Sequence, residues 1–181
     1  MKVIETKLRD CYIIEPDVFG DNRGYFMETH NLQRLKDVGI NVNFVQANES
    51  FTERKNTIRG LHFQAMPHTQ AKLVRCPEGA IYDVAVDLRK SSPTYKEWIK
   101  VELSKDNKRQ LYLPRGFAHG FLTLTDNVRF CYEVDNYYNK ESDGGILWSD
   151  PEIGVDWGVE DPILSHKDKL QPVLSKSKAN F

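Results

Sequence analysis

Long hydrophobic runs are missing from this 181-residue chain, and so is any excess of charge of one sign. No apolar stretch approaches the roughly twenty residues that cross a bilayer, and the N-terminus has no apolar signal core. A membrane protein is therefore not expected. Lys and Arg number 25 against 26 Asp and Glu, a formal net charge of −1. Such a surface has no field to steer the chain toward nucleic acid or a lipid face, so an anionic ligand has to be held by a local basic cluster. Cysteine is scarce: Cys11, Cys76 and Cys131 are odd in number, far apart and without a C-x-x-C pair. That excludes a disulfide framework or a structural zinc site and points to a reducing, cytoplasmic setting. Each lies in a strand-like run, where a thiol serves as a small hydrophobe. Internal repeats and low-complexity linkers are also lacking, so one domain over residues 1–181 is expected; a chain of this length buries about two thirds of its unfolded surface.

What is present is alternation. Apolar residues recur with a period of two in short runs bounded by Gly, Pro, Asn and Asp. The candidate strands are Cys11–Glu15, Gly24–Thr29, Asn43–Ser50, Thr57–Gln64, Lys72–Cys76, Ala80–Leu88, Trp98–Leu103, Arg109–Leu113, His119–Thr123 and Val128–Val134. Many short strands at near-regular spacing predict an all-β sandwich or barrel, most naturally a jelly roll. Leu32, Leu35 and Val38 share helical spacing within Asn31–Val38, ending at Gly39, and predict one short surface helix. Past Asp135 the strand pattern stops. The irregular tail contains Trp148 and Trp157 and a short helix capped by Ser165, and it must pack on the barrel or leave those tryptophans exposed.

Two stretches carry chemistry: Arg59-Gly60-Leu61-His62-Phe63-Gln64 and, further on, Pro114-Arg115-Gly116-Phe117-Ala118-His119-Gly120. Each delivers one histidine from β-type sequence, so two imidazoles can meet in one pocket. An unpaired imidazole titrates near pH 6.5 and takes a proton at neutral pH, which points to proton transfer. Regular pleating would put His62 and Arg59 on opposite strand faces. If both serve one ligand, Gly60 marks a bulge or a tight backbone approach.

The second stretch matches the downstream P-x-G-x-x-H signature of the cupin superfamily. Taken with the strands AKLVRC and YDVAVDLR, the stretch RQLYLPRGFAHGF, the Tyr132 strand, NYY and ILWSDPEIGVDW, it resembles the dTDP-4-dehydrorhamnose 3,5-epimerase family from about Val3 to Asp168. That resemblance implies a cupin-type double-stranded β-helix with short peripheral helices. It also implies a cofactor-independent reaction on dTDP-4-dehydro-6-deoxy-D-glucose. By this likeness His62 is the base, Asp168 its orienting carboxylate, Tyr132 the acid on the opposite face, and Lys72 the cation beside the C4 oxygen. Asp83 is expected to keep Lys72 charged and aimed. Arg23, Arg59 and His119 are expected to bind the anion. Phe26, Glu28, Gln46, Asn48, Tyr138, Asp143 and Lys167 match substrate positions. Ala47, Glu49 and Ala71 depart from the Asp, His and Gly usual there.

On the residues alone, His62 reads equally as a hydrogen-bonded core histidine, Tyr132 as a core aromatic, Lys72 as a solvated cation, Arg23 as a surface salt-bridge partner and Asp168 as a solvated aspartate near a helix N-terminus. No metal is expected, because the upstream H-x-H of metal-binding cupins reads His62-Phe63-Gln64 here. The resemblance further implies a homodimer whose subunits exchange N-terminal strands. Rival readings are an epimerase of one centre only, a metal-dependent cupin oxygenase and a non-catalytic sugar-binding cupin.

Overall fold

The computed structural model describes all 181 residues. In chain order the elements are β1 (Lys2–Glu5), β2 (Tyr12–Glu15), β3 (Val18–Asp21), β4 (Gly24–Met27), α1 (Leu32–Asp37), β5 (Gln46–Thr52) and β6 (Ile58–Gln64). They continue with β7 (Lys72–Glu78), β8 (Ala80–Asp87), β9 (Trp98–Ser104), β10 (Gln110–Leu113), β11 (Phe117–Thr123), β12 (Val128–Val134), β13 (Asp143–Gly145) and α2 (His166–Lys169). Two antiparallel sheets result, one ordered β1-β2-β10-β7-β12-β5 and the other β13-β6-β11-β8-β9, while β3 and β4 pair only with each other. This is the jelly roll of the cupin kind.

Apolar packing divides by sheet face. Between the sheets lie Val74, Cys76, Ile81, Ala85, Leu103, Leu111, Phe121 and Phe130, all buried. The outer face of the five-stranded sheet, including Leu61, Phe63, Val84 and Leu122, is covered by Ile146, Ile153, Trp157 and Leu174 of the tail. Leu35 of α1 and Ile40 cover Ile14, Leu73 and Tyr112 on the six-stranded sheet. Asn31 caps α1 by accepting from the Arg34 amide. The tail packs as its tryptophans require: Trp157 is buried and its indole donates to the Trp148 carbonyl at 2.8 Å. All three thiols are free, with Cys11 and Cys76 buried.

The structure corrects several sequence-based boundaries. Strand pairing does not stop at Asp135, because β13 pairs along β6 through Asp143↔Gln64 and Gly145↔His62. Its Asp-Gly-Gly sequence has the composition of a turn, and it is a strand because the edge of β6 needs a partner. Similarly, β1 finds its partner in β2, a pairing its four residues do not announce. The strand expected over Gly24–Thr29 ends at Met27, and β5 runs three residues later than expected at its start and two later at its end.

One irregularity sets up everything near the histidines. On β11, His119 and Phe121 are two residues apart, yet their partners on β6, His62 and Arg59, are three apart. The extra residue is a β-bulge, and it reverses the facing of the strand so that Arg59 and His62 come to the same side. Gly60 sits at φ +138°, where a Cβ would come within 2.5 Å of Gly120 Cα. Gly120 in turn would bring a Cβ to 2.8 Å from the Arg59 carbonyl. The two glycines therefore need each other. Gly60→Ala is expected to cost about 2–3 kcal/mol through backbone strain and overlap at this crossing, measured by urea denaturation; a loss below about 0.5 kcal/mol would show that the crossing relaxes freely.

Candidate active site

Arg59 and His62 of β6, Lys72 of β7, His119 of β11 and Tyr132 of β12 open onto one cleft of about 580 Å³. Asp143, Lys167, Asp168 and Tyr138 complete its rim from the tail side, with Phe121 and Phe130 at its floor. Volumes of several hundred Å³ suit a ligand of cofactor size.

His62 Nε2 lies 2.5 Å from Asp168 Oδ1. Asp168 is buried, on the first turn of α2, where Ser165 caps its backbone amide at 3.1 Å. Burial alone would raise the Asp168 carboxyl, but the His62 hydrogen bond, with help from Ser165 and Lys167, holds it below the usual carboxylate range. An ionised carboxylate only accepts, so the hydrogen of this bond sits on Nε2, and Nδ1 is left with a lone pair. The imidazole is thereby oriented and ready to take a proton.

Lys72 Nζ has no hydrogen bond or ion pair and lies 5.9 Å from the centroid of the Tyr132 ring. Burial pushes the ammonium down to about 8, against the pull of Asp83 and Asp143. Tyr132 is shifted the other way: burial, reinforced by Asp143 and opposed by Arg59, raises its phenol above the ordinary value, so it stays protonated at neutral pH. Phe130 stacks on His119 with centroids 5.8 Å apart and tilts against Tyr132 at 5.7 Å. Arg59 is anchored through Thr52 Oγ1 and the Phe51 carbonyl, both at 3.0 Å. At the mouth, Lys167 and Asp143 form an ion pair of 2.5 Å.

One expected arrangement is not what the structure holds. Asp83 directs its one side-chain hydrogen bond at His119 Nε2, at 2.8 Å, rather than at Lys72, on which it acts only through space. His119 is only 7% exposed and already faces that carboxylate, a poor setting for a second anion. Burial lowers its imidazole below the ordinary value despite Asp83.

Five other expected residues lie outside the cleft lining. Gln46 donates to Asn48 at 2.8 Å and accepts from the Tyr138 amide at 3.2 Å, a pair at the edge of the site. Arg23 is engaged by Asp21 at the tip of the β3–β4 hairpin. Phe26 is 66% exposed on the same hairpin, and Glu28 bonds Asn31 and Arg34 at its base. Glu49, which replaces the usual His, is committed to Arg129. Gln64 donates to the His68 and Tyr137 carbonyls and accepts from the Asn139 amide, so its carboxamide holds loops together. Nowhere do three or more His, Cys, Asp or Glu side chains converge as a metal-holding group. Sequence reading passed over Phe130, Ser50 and Gln70, which also line the cleft. Phe130 was the legible one, two residues before Tyr132 on the same strand face.

Comparison with known proteins agrees over nearly the whole chain. The family model described as dTDP-4-dehydrorhamnose 3,5-epimerase matches residues 5–176. The dTDP-4-dehydrorhamnose 3,5-epimerase of Shigella flexneri is 52% identical over 169 residues, 93% of either chain. A crystal structure of the Bacillus anthracis dTDP-4-dehydrorhamnose 3,5-epimerase, with TDP and PPi bound, superposes with a TM-score of 0.93 at 51% identity, covering 96% of this chain and 99% of that one. The dTDP-6-deoxy-D-glucose-3,5-epimerase of Legionella pneumophila, in complex with dTDP-4-keto-L-rhamnose, gives 0.92 at 41% identity over 97% and 93%.

The unpaired ammonium has a thermodynamic signature. Because the folded chain binds the Lys72 proton more weakly than the unfolded chain does, the penalty is full below about pH 8 and is relieved as pH rises toward the ordinary lysine value of 10.5. Lys72→Met is accordingly expected to be more stable than the parent at pH 7, by about 1 kcal/mol or more, with the gap narrowing by pH 9.5. Paired denaturation curves at the two pH values decide this; a less stable Met variant at pH 7 would mean that the ammonium is well solvated.

Proposed function

The chain belongs to the dTDP-4-dehydrorhamnose 3,5-epimerase family and is an epimerase of that kind, and from this premise we propose how its residues divide the work. The observation that carries the proposal is the 2.5 Å bond from His62 to the buried Asp168, in a cleft shared with Tyr132 and Lys72. The substrate is dTDP-4-dehydro-6-deoxy-D-glucose and the product dTDP-4-dehydro-L-rhamnose. The C4 ketone acidifies the hydrogens on C3 and C5, so one constellation serves both centres in turn.

His62 Nδ1 removes the proton, becoming an imidazolium that Asp168 stabilises. The electrons of the C–H bond move onto the C4 oxygen, where the Lys72 ammonium meets the developing charge. Tyr132 then returns a proton to the carbon on the opposite face, and the carbonyl reforms. Both groups are reset by exchange with solvent. Electrons travel only between the C–H bond and the ketone, so the step balances without a redox partner. Neither a cofactor nor a metal is assigned a part in it.

Arg59 and Lys167 are the cations we assign to the diphosphate, Tyr138 to the base, and Gln46, Asn48 and Asp143 to the rim. Arg23, Phe26 and Glu28 stand away from the cleft of their own chain, which supports a homodimer in which the β3–β4 hairpin reaches the cleft of a second copy. Phe19 and Phe26, 61% and 66% exposed, give that hairpin an apolar face to bury. One domain over residues 1–181 carries the activity, and the free thiols favour a cytoplasmic setting.

Two experiments test the assignment. In deuterated water the enzyme should introduce label at both C3 and C5. His62→Ala should lose exchange at both carbons, whereas Tyr132→Phe should block inversion yet keep some exchange, since His62 can hand a solvent-derived proton back to the face it came from. Losses of about a hundredfold to ten-thousandfold are expected. A folded His62→Ala variant that exchanges at the parent rate would exclude His62 as the base. For the assembly, light scattering should give twice the chain mass; a fully active monomer at assay concentration would rule out the exchanged hairpin.

A further inference from the structure

The epimerisation above leaves one buried titratable pair without a task, His119 of the cleft lining and Asp83 behind it. Asp83 has no exposed surface, and its Oδ1 has no hydrogen-bond partner, so the whole polar engagement of this carboxylate is the 2.8 Å bond from His119. A buried carboxylate with so little compensation costs stability, which is explicable if the bond it makes serves the site. His119 is fixed on every side. Its backbone pairs with His62 across β6 and β11, its ring stacks on Phe130, and its Nε2 is held by Asp83. Nδ1 makes no bond within the chain and keeps some exposed surface, on a ring that lines the cleft.

We propose that Asp83 is a positioning residue that holds His119 as the Nε2–H tautomer, so that Nδ1 accepts a hydrogen bond from a hydroxyl of the sugar ring. The inference rests on the epimerase reading of the same cleft. A carboxylate accepts and does not donate, so the shared hydrogen belongs to Nε2. With Arg59, Lys72 and Lys167 the cleft is rich in donors, and Asp143 is already committed to Lys167. Hydroxyls need acceptors. His119 supplies one beside the base on the neighbouring strand, which directs it at the reacting ring rather than at the nucleotide. A lone pair at this position repels phosphate oxygens, which is why the anion contact expected of His119 gives way to a hydroxyl contact. A rigid acceptor also selects, because a ring lacking the hydroxyl leaves it buried and unpaired.

The test combines spectroscopy with substrate discrimination. In the ¹⁵N spectrum of histidine-labelled enzyme at pH 7, His119 should show a protonated Nε2 and a bare Nδ1, and Asp83→Asn should yield a mixture of tautomers. Deuterium entry at C5 is then followed for dTDP-4-dehydro-6-deoxyglucose and for its 2-deoxy and 3-deoxy analogues. The parent enzyme should prefer the natural substrate over one analogue by at least about tenfold in kcat/KM. That preference should vanish in His119→Leu. In Asp83→Asn it should shrink, with KM rising more than kcat falls. An imidazolium or an Nδ1–H tautomer in the parent enzyme would overturn the proposal, as would equal use of all three substrates or a preference that survives in His119→Leu. Failure of the parent enzyme to label its natural substrate would instead strike the epimerase reading, while the tautomer measurement would still judge Asp83.

Discussion

The close crossing of Gly60 and Gly120 is the constraint on which the site depends. Strand alternation by itself sends Arg59 and His62 to opposite faces. The extra residue on β6 cancels that alternation, and a backbone this close to its neighbour at φ +138° admits only glycine. Because β6 is flanked on both sides, by β13 and β11, the bulge is held in place. A guanidinium and an imidazole separated by two residues then face one cavity. The sheet gives up regularity at one position to gain that convergence.

Within the cavity, burial sorts chemically similar groups into different states. Both histidines present Nε2 to a carboxylate. His62 keeps a third of its side chain exposed and can reach a substrate atom, while His119 is nearly sealed. Lys72 stands apart because nothing in the chain satisfies it. An ammonium left unpaired in a barrel is a liability for folding and an asset wherever charge develops on a bound ketone, since it is already oriented and partly desolvated. Had Asp83 bonded Lys72 directly, the cation would be neutralised in the resting enzyme. Turning Asp83 toward His119 leaves the positive charge available.

Much of this was legible in the sequence, for physical reasons that differ by element. Alternating runs such as Val128–Val134 declared themselves, because a strand with one face in a core must alternate. Ser165 announced α2 by its capping chemistry, and the isolated Gly60 in a strand announced the bulge. The jelly roll and the cluster of His62, Lys72, Tyr132 and Asp168 followed from motifs in a familiar order. Pairings decided by a neighbour did not appear. Asp143–Gly145 reads as a turn and becomes a strand only against β6. Asp83 bonds His119 rather than Lys72 because β8 pairs directly with β11, setting Ala85 opposite His119, and no local pattern reports a register. Arg23, Phe26 and Glu28 likewise stay at their own hairpin, outside the cleft lining, which no local pattern reports.

The tail converts this architecture into a functional one. Thr57, immediately before β6, bridges to Ile163, and two residues later Ser165 starts the helix that carries Asp168. Trp157 and Ile153 hold the preceding segment on the outer face of the same sheet. The carboxylate that orients His62 therefore arrives only when the apolar tail has docked, and the strand that bears His62 gains its edge partner β13 from that same segment. The His62–Asp168 pair and the sheet edge form together, so a partly unfolded chain cannot retain the oriented imidazole. The β3–β4 hairpin has no such coupling, since its strands pair with nothing else in the chain. Its exposed Phe19 and Phe26 gain burial only from a surface outside this chain. The His62–Asp168 part of the site is thus secured by the fold of one chain, whereas the hairpin keeps an apolar face that the chain itself does not cover.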